Sequence, residues 1–150
     1  MTAQQKRVLT DSRTIAVVGL SSKPERASYR VAAYLQAQGY QIVPVNPRES
    51  MVLGEVAYAT LRDIQFAIDI VDVFRDSSAV PEIVAEAIAI HAQVLWLQLD
   101  IHHPEAEKQA IDAGITLITD ACIMVVHQQL LHRSEEHTSE LQSRVDISYA

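Results

Sequence analysis

From Thr14 onward the chain alternates short apolar, β-branched runs with longer stretches whose apolar residues recur at helical spacing. That is the signature of consecutive βαβ units. The runs predict strands at Thr14 to Val18, Gln41 to Val45, Ile68 to Val73, Val94 to Leu99 and Ile115 to Ile118. Each is nearly continuous in apolar residues, as expected of parallel strands covered on both faces. The intervening pattern predicts helices at Ser28 to Gln38, Ala79 to His91, Pro104 to Ala113 and Ile123 to Leu131. Gly39 and Gly114 stand where a helix gives way to a strand and a left-handed residue is wanted. Pro81 and Pro104 sit near helix starts, where a missing N–H costs little. The pattern is weakest between Val45 and Ile68, where one helical turn is predicted at Leu61 to Ile64. With right-handed crossovers these elements form a Rossmann-like three-layer α/β/α domain with a five-stranded parallel sheet, expected in the order 3-2-1-4-5.

Composition sets the limits of that domain. The chain has 150 residues, 49% of them hydrophobic and 21% charged, which suits one globular core that needs neither metal nor disulfide to fold. The core domain is expected over residues 1–132. From Arg133 to Ala150 the sequence RSEEHTSELQSRVDISYA is polar and lacks helical or strand periodicity, so it is expected to stand outside the domain as a disordered or artefactual tail. Its RSEEHTSELQS stretch resembles the in-frame translation of a common sequencing-adapter oligonucleotide.

Cys122 is the single cysteine, which excludes an internal disulfide and suits a reducing compartment. No apolar run approaches the roughly 20 residues needed to span a bilayer, and the N-terminus has no apolar core like that of a signal peptide. A cytoplasmic location is therefore expected. A formal net charge of -7 opposes general attraction to nucleic acid or to anionic membrane, so neither is expected as a partner.

In a doubly wound sheet the ligand lies beyond the carboxyl ends of the strands. After the first strand comes GLSSKPERASYR, Gly19 to Arg30. Gly19 permits a sharp turn, Ser21 and Ser22 offer hydroxyls and backbone N–H groups to a phosphate, and the next helix aims its positive end at the same place. Lys23 and Arg26 add cations. The loop is not the dinucleotide fingerprint, because GxGxxG would need glycine at Ser21 and Pro24. A standard NAD site would also place an acid near Asn46 to hold the ribose hydroxyls. Arg48 instead supplies a cation just past the second strand, which suits a ribose bearing an extra phosphate. Coenzyme A and NADP both satisfy that, and charge alone does not separate them.

Taken together, AVVGLSSKPERASYRVAAYL, IVPVNP, LGEVAYATLRDI, DIVDVFR, VPEIVAEAIAIHAQVLWLQL and AGITLITDACIMVVH resemble the CoA-binding domains related to the N-terminal domain of the succinyl-CoA synthetase alpha subunit, especially the small stand-alone bacterial ones. The resemblance runs from Thr14 to Leu131. It implies that Gly19, Leu20, Ser21, Ser22 and Lys23 form the loop around the CoA phosphates, with Arg26 and Ser28 at its far side. It implies further that Val45, Asn46, Pro47 and Arg48 lie against the adenosine, that Phe74 and Arg75 border the ligand, and that Gln98 faces it from the fourth strand. Ala27, Ala121 and Val126 depart from the usual pattern of such proteins, where proline, a basic residue and glutamate are common.

The function expected is binding of coenzyme A or an acyl-CoA, with no catalytic or metal-ligating residue assigned. Two other readings are an NADP-binding oxidoreductase or redox sensor on the same fold, and a subunit of an acyl-CoA ligase acting with a separate partner. Cys122, at the end of the last strand, is expected to be a small buried hydrophobe. His102 and His103, near Asp100, are adjacent in a loop and poorly placed to share one ion. Asp69 and Asp72, with Asp63 before them, are expected to solvate an edge or to pair with Arg62 or Arg75. Trp96 and Phe74 are read as core, and His127 as structural or exposed.

Overall fold

The computed structural model of the chain describes residues 1–142. In chain order its main elements are α1 (Ala3–Asp11), β1 (Thr14–Val18), α2 (Ala27–Ala37), β2 (Gln41–Val45), β3 (Met51–Val52), β4 (Glu55–Val56), β5 (Ile70–Val73), α3 (Val80–Ala89), β6 (Val94–Leu97), α4 (Pro104–Asp112), β7 (Thr116–Ile118) and α5 (Ile123–Gln142). A 3-10 turn at Leu61–Asp63 falls where a helical turn is expected. The five expected strands form one parallel sheet and the helices cover both faces, so the domain is Rossmann-like.

Alternation along each strand sends one set of side chains to each layer. Ala16, Val18, Val43, Val71, Val73 and Leu95 meet Ile83, Val84 and Ala87 of α3 and Ala106 and Ala110 of α4. Ile15, Val17, Ile42, Ile70 and Trp96 meet Val8 and Leu9 of α1, Val31 and Leu35 of α2, and Ile123 and Val126 of α5. Trp96 is fully buried, and its indole N–H donates to the Ala121 carbonyl at 2.9 Å.

The strand order corrects the expectation of 3-2-1-4-5. The sheet runs β2-β1-β5-β6-β7, so the third of its strands lies between the first and the fourth and β2 is an edge. Pro44 explains this. The Gly19 N–H reaches the Val45 carbonyl and the Gln41 N–H reaches the Arg13 carbonyl, so odd-numbered residues of β2 turn their backbone groups toward β1. Pro44 therefore turns outward, where its carbonyl accepts from Tyr58 N–H at 2.9 Å. A proline cannot complete a ladder on that side, and prolines within sheets are confined to edges for that reason.

Two helices differ from the pattern. α1 begins with a capping box, in which the Thr2 hydroxyl accepts from Gln5 N–H and the Gln5 side chain accepts from Thr2 N–H, both at 3.0 Å. Only two of its residues, the adjacent Val8 and Leu9, are buried, too few for a helical period to show in the sequence. α5 does not end at Leu131 but continues to Gln142, because that stretch holds no proline or glycine to stop it. Of the tail expected from Arg133 to Ala150, residues 143–150 lie outside the described residues. Among the described residues no helix is long and apolar enough to cross a membrane.

β3 and β4 form a small antiparallel hairpin whose turn residues Leu53 and Gly54 both have positive φ, 55° and 78°, as a two-residue hairpin turn requires. Leucine is unusual there. Its side chain packs on the α2 face of the core, and its carbonyl accepts from Gln36 Nε2 at 3.1 Å.

Candidate functional site

The carboxyl ends of β1, β2 and β5 converge on Gly19. With φ at +90° it sits in a conformation that L side chains rarely adopt, and a Cβ there would lie 3.0 Å from the Phe74 carbonyl oxygen and 3.1 Å from Arg75 Cδ. Its N–H donates to the Val45 carbonyl at 2.8 Å. Glycine at this point lets three chain segments meet at one place.

The loop that follows is held by its own polar groups. Ser21 N–H donates to Ser28 Oγ and Lys23 N–H to Ser21 Oγ, both at 3.1 Å. Arg26 N–H donates to the Lys23 carbonyl at 3.0 Å, just before α2 begins. Asn46 braces the loop from β2: its Nδ2 donates to the Leu20 carbonyl at 3.0 Å, while its Oδ1 accepts from Arg48 N–H at 2.9 Å. Asn46 thus works as a two-ended strut, which an Asp could not do because an ionised carboxylate only accepts. Leu20 and Val45 bury their side chains in the core and offer only backbone to the crevice. Ser28 is buried and committed to Ser21, and Phe74 is half-buried against the α2 face.

Sequence reading passed over Glu49. Its Oε2 accepts the Ser22 N–H at 3.0 Å. The loop's preference for anions is therefore met by the chain's own carboxylate. The only sequence signal was an acid beside Arg48, since its partner is 27 residues away.

Gly19, Asn46, Pro47, Arg48 and Arg75 line one cleft of about 340 Å³. Lys23 and Arg26 are exposed on the adjoining loop. Among the described residues none of these four cations is in an ion pair. A larger hollow of about 570 Å³ lies at the opposite end of the sheet, against Ile88, His91, Gln93, Gly114 and Thr116. It holds no lysine or arginine, and ligands of such sheets bind at the carboxyl ends.

Gln98, just beyond β6, is largely buried and does not line that cleft, and its Nε2 donates to Asp72 Oδ1. Asp72 is fully buried, and its Oδ2 has no partner. Burial pushes its carboxyl up to about 7, although the hydrogen bond from Gln98 pulls it down. Neither aspartate of the third strand region follows expectation. Asp72 pairs with an amide, and Asp69 Oδ2 accepts the N–H groups of Arg13 (2.8 Å) and Thr14 (3.0 Å), which ties the start of β1 to the start of β5. Asp63 caps the turn begun by Thr60.

The histidines are mostly accounted for locally. His103 Nδ1 caps α4 by accepting from Ala106 N–H at 3.3 Å. His102 Nε2 lies 3.6 Å from Asp120 Oδ1, with both side chains largely exposed. His127 is buried, with Nδ1 2.8 Å from the Tyr34 hydroxyl and the Tyr34 and Tyr40 rings edge-on to it. Burial lowers its pKa and so favours the neutral ring. Cys122 is a free thiol, half-buried against the same apolar layer.

Three likenesses bear on this arrangement. The chain is 42% identical over 125 residues to an uncharacterized Bacillus subtilis protein, YneT, covering 83% of this chain and 93% of that one. The structure of a protein from Thermus thermophilus superimposes with a TM-score of 0.82 at 42% identity, over 87% of this chain and 99% of that one. A shorter likeness, 39% identical over 59 residues, links the chain to the alpha subunit of an ADP-forming acetate–CoA ligase of Pyrococcus furiosus, covering 39% of this chain but only 13% of the subunit. Residues 13–128 match the sequence model of the CoA binding domain, and the chain belongs to that family.

Proposed function

We propose that the chain binds coenzyme A, or an acyl-CoA, at the carboxyl edge of the sheet and performs no covalent chemistry itself. The observation that carries this reading is the cleft in which Arg48 and Arg75 face the Gly19 backbone, with neither cation in an ion pair among the described residues. Two uncommitted guanidinium groups in one cleft suit a ligand with several phosphates. The cleft holds only part of so long a molecule. In this reading the diphosphate lies over Gly19, Ser21, Ser22 and Lys23, with Arg26 and the buried Ser28 behind the loop. The ribose phosphate meets Arg48 beside Val45, Asn46 and Pro47. The remainder passes Phe74 and Arg75 toward Gln98. The absence of an acid where NAD's ribose would bind favours this ligand over NAD, and membership of the CoA binding domain family favours it over NADP.

Thermal unfolding in the presence of CoA, dephospho-CoA, acetyl-CoA, NADPH and NADH tests it. A ligand at about 100 times its Kd adds roughly 2.7 kcal/mol of stability, a rise of a few degrees for a domain of this size. CoA and acetyl-CoA are expected to give that rise, dephospho-CoA less, and the nicotinamide nucleotides least. Arg48→Ala is expected to weaken CoA roughly tenfold and to leave dephospho-CoA unchanged, since a charge-assisted hydrogen bond contributes about 1.5–3 kcal/mol. No shift with any CoA species at millimolar concentration removes the proposal, and a larger shift with NADPH replaces it with NADP binding.

Glu49 gives a second test. If a ligand phosphate takes the Ser22 N–H, it must displace the carboxylate now bonded there. Glu49→Gln removes the repulsion but keeps the shape, and is expected to tighten CoA binding several-fold, with the largest gain at low ionic strength. Calorimetric titration at two salt concentrations reads this directly; weaker binding by Glu49→Gln would show that the phosphates lie elsewhere.

A further inference from the structure

Asp72 sits inside β5, paired across the sheet with Val17 and Trp96. By strand alternation it shares the apolar face of Ile70 and Trp96. Its packing does not demand an acid, because a hydrophobic side chain of similar volume fills such a place without the cost of burying a carboxyl group. Oδ1 takes a hydrogen from Gln98, and Oδ2 is left without a partner. Buried polar atoms in that state call for an explanation.

The explanation lies in what an acid does to an amide. A carboxamide has a donating end and an accepting end of nearly equal shape, and an ionised carboxylate can only accept. Asp72 therefore selects one of the two orientations of Gln98. We propose that Asp72 is a positioning residue for ligand recognition: it holds the Gln98 NH2 group inward, so that the Gln98 carbonyl oxygen serves as the acceptor for an N–H donor of a ligand lying across the ends of β5 and β6. This rests on the CoA reading, in which the donor is an amide N–H of the pantetheine arm.

The device depends on pH. Once protonated, Asp72 can donate as well as accept, and the amide is no longer held in one sense. Titratable groups packed on this face include Tyr29 and Tyr34 of α2, Tyr40 before β2 and Cys122 before α5, with His127 of α5 edge-on to Tyr34 and Tyr40. His127 is bonded to Tyr34, and burial lowers its pKa. Among the described residues no lysine or arginine forms an ion pair with Asp72.

The test uses the whole chain as wild type, Asp72→Asn and Gln98→Ala. Calorimetric titrations at pH 8 compare CoA with adenosine 3′,5′-bisphosphate, which lacks the arm. Both variants are expected to lose roughly tenfold in CoA affinity while binding the bisphosphate as the wild type does, and wild-type affinity for CoA alone is expected to fall from pH 8 to pH 6. In parallel, NMR follows the Gln98 side-chain NH2 and the Asp72 carboxyl carbon between pH 5 and 9. The two are expected to titrate together, and the Gln98 signals to stop responding in Asp72→Asn. Unchanged CoA affinity in Asp72→Asn, or equal losses for both ligands, overturns the proposed role in recognition. A Gln98 amide that ignores the Asp72 titration overturns the orientation device. A wild type that binds neither ligand, with Gln98 still following Asp72, overturns the CoA reading and the pantetheine contact but upholds the orientation device.

Discussion

Gly19→Ala is expected to lower stability by about 2–3 kcal/mol and to abolish measurable CoA binding. Two separate penalties add. An L side chain at positive φ costs roughly 1–2 kcal/mol, and Gly19 has φ +90°. The new Cβ also meets the Phe74 carbonyl oxygen at 3.0 Å, and relieving a contact with backbone by shifting a strand end costs about 1 kcal/mol more. Gly39 supplies the control, since its φ is +103° but a Cβ there would meet nothing within 4 Å. Gly39→Ala should therefore show the conformational penalty alone. Urea unfolding of the two variants, read at constant m, separates the terms, and equal losses would mean that close approach is not what selects glycine at position 19. Binding suffers because the same shift displaces the Val45, Phe74 and Arg75 ends that meet at Gly19.

That glycine was legible in the sequence because its signal is local: an apolar run, then Gly, then hydroxyls and a helix. The strands and four of the helices were legible for the same reason, with ends differing by a few residues except at α5, which runs on from Leu131 to Gln142. Sheet order was not, although its determinant was present. Pro44 inside IVPV marks an edge, but only once the odd-numbered residues of β2 are known to face β1, and that depends on register rather than composition. The helix α1 was missed because a capping box at Thr2 and Gln5 followed by only two buried apolar residues is too short a pattern for periodicity to detect.

The site shows the same division between local and remote determinants. Arg48 and Arg75 follow strands and could be placed at the carboxyl edge from the sequence. Glu49 and Asp72 take their meaning from partners 27 and 26 residues away. Asp72 is the sharper case. A carboxylate in a strand region is ordinarily solvated or paired with a cation, whereas alternation in DIVDVFR puts Asp72 on the face of Ile70 and Phe74, inside the sheet. Nothing in the sequence named Gln98 as its partner.

Asp72→Asn is expected to be more stable than the wild type at pH 8, with an advantage that vanishes or reverses near pH 4. In the unfolded chain the carboxyl titrates near its ordinary 3.8, and in the folded protein near about 7. Between those values the folded state holds a proton that the unfolded state has released. Stability therefore falls as pH rises from about 4 to about 7, and the full cost, about 4 kcal/mol, is present above that range. Asparagine does not titrate, so the stability difference between variant and wild type should change by about 3–4 kcal/mol from pH 4 to pH 8. His127 acts in the opposite direction, because the unfolded chain takes up a proton below about pH 6.5 that the buried ring resists. It is common to both proteins and cancels in the difference. Urea midpoints at each pH measure that difference, and one that stays flat would show that Asp72 titrates as an ordinary carboxylate. A wild type that is less stable at neutral pH than its isosteric amide variant keeps an acid in its core against its own stability. Residues kept on those terms are found where recognition or chemistry requires them, and the requirement we propose leads from Asp72 through Gln98 to the carboxyl edge.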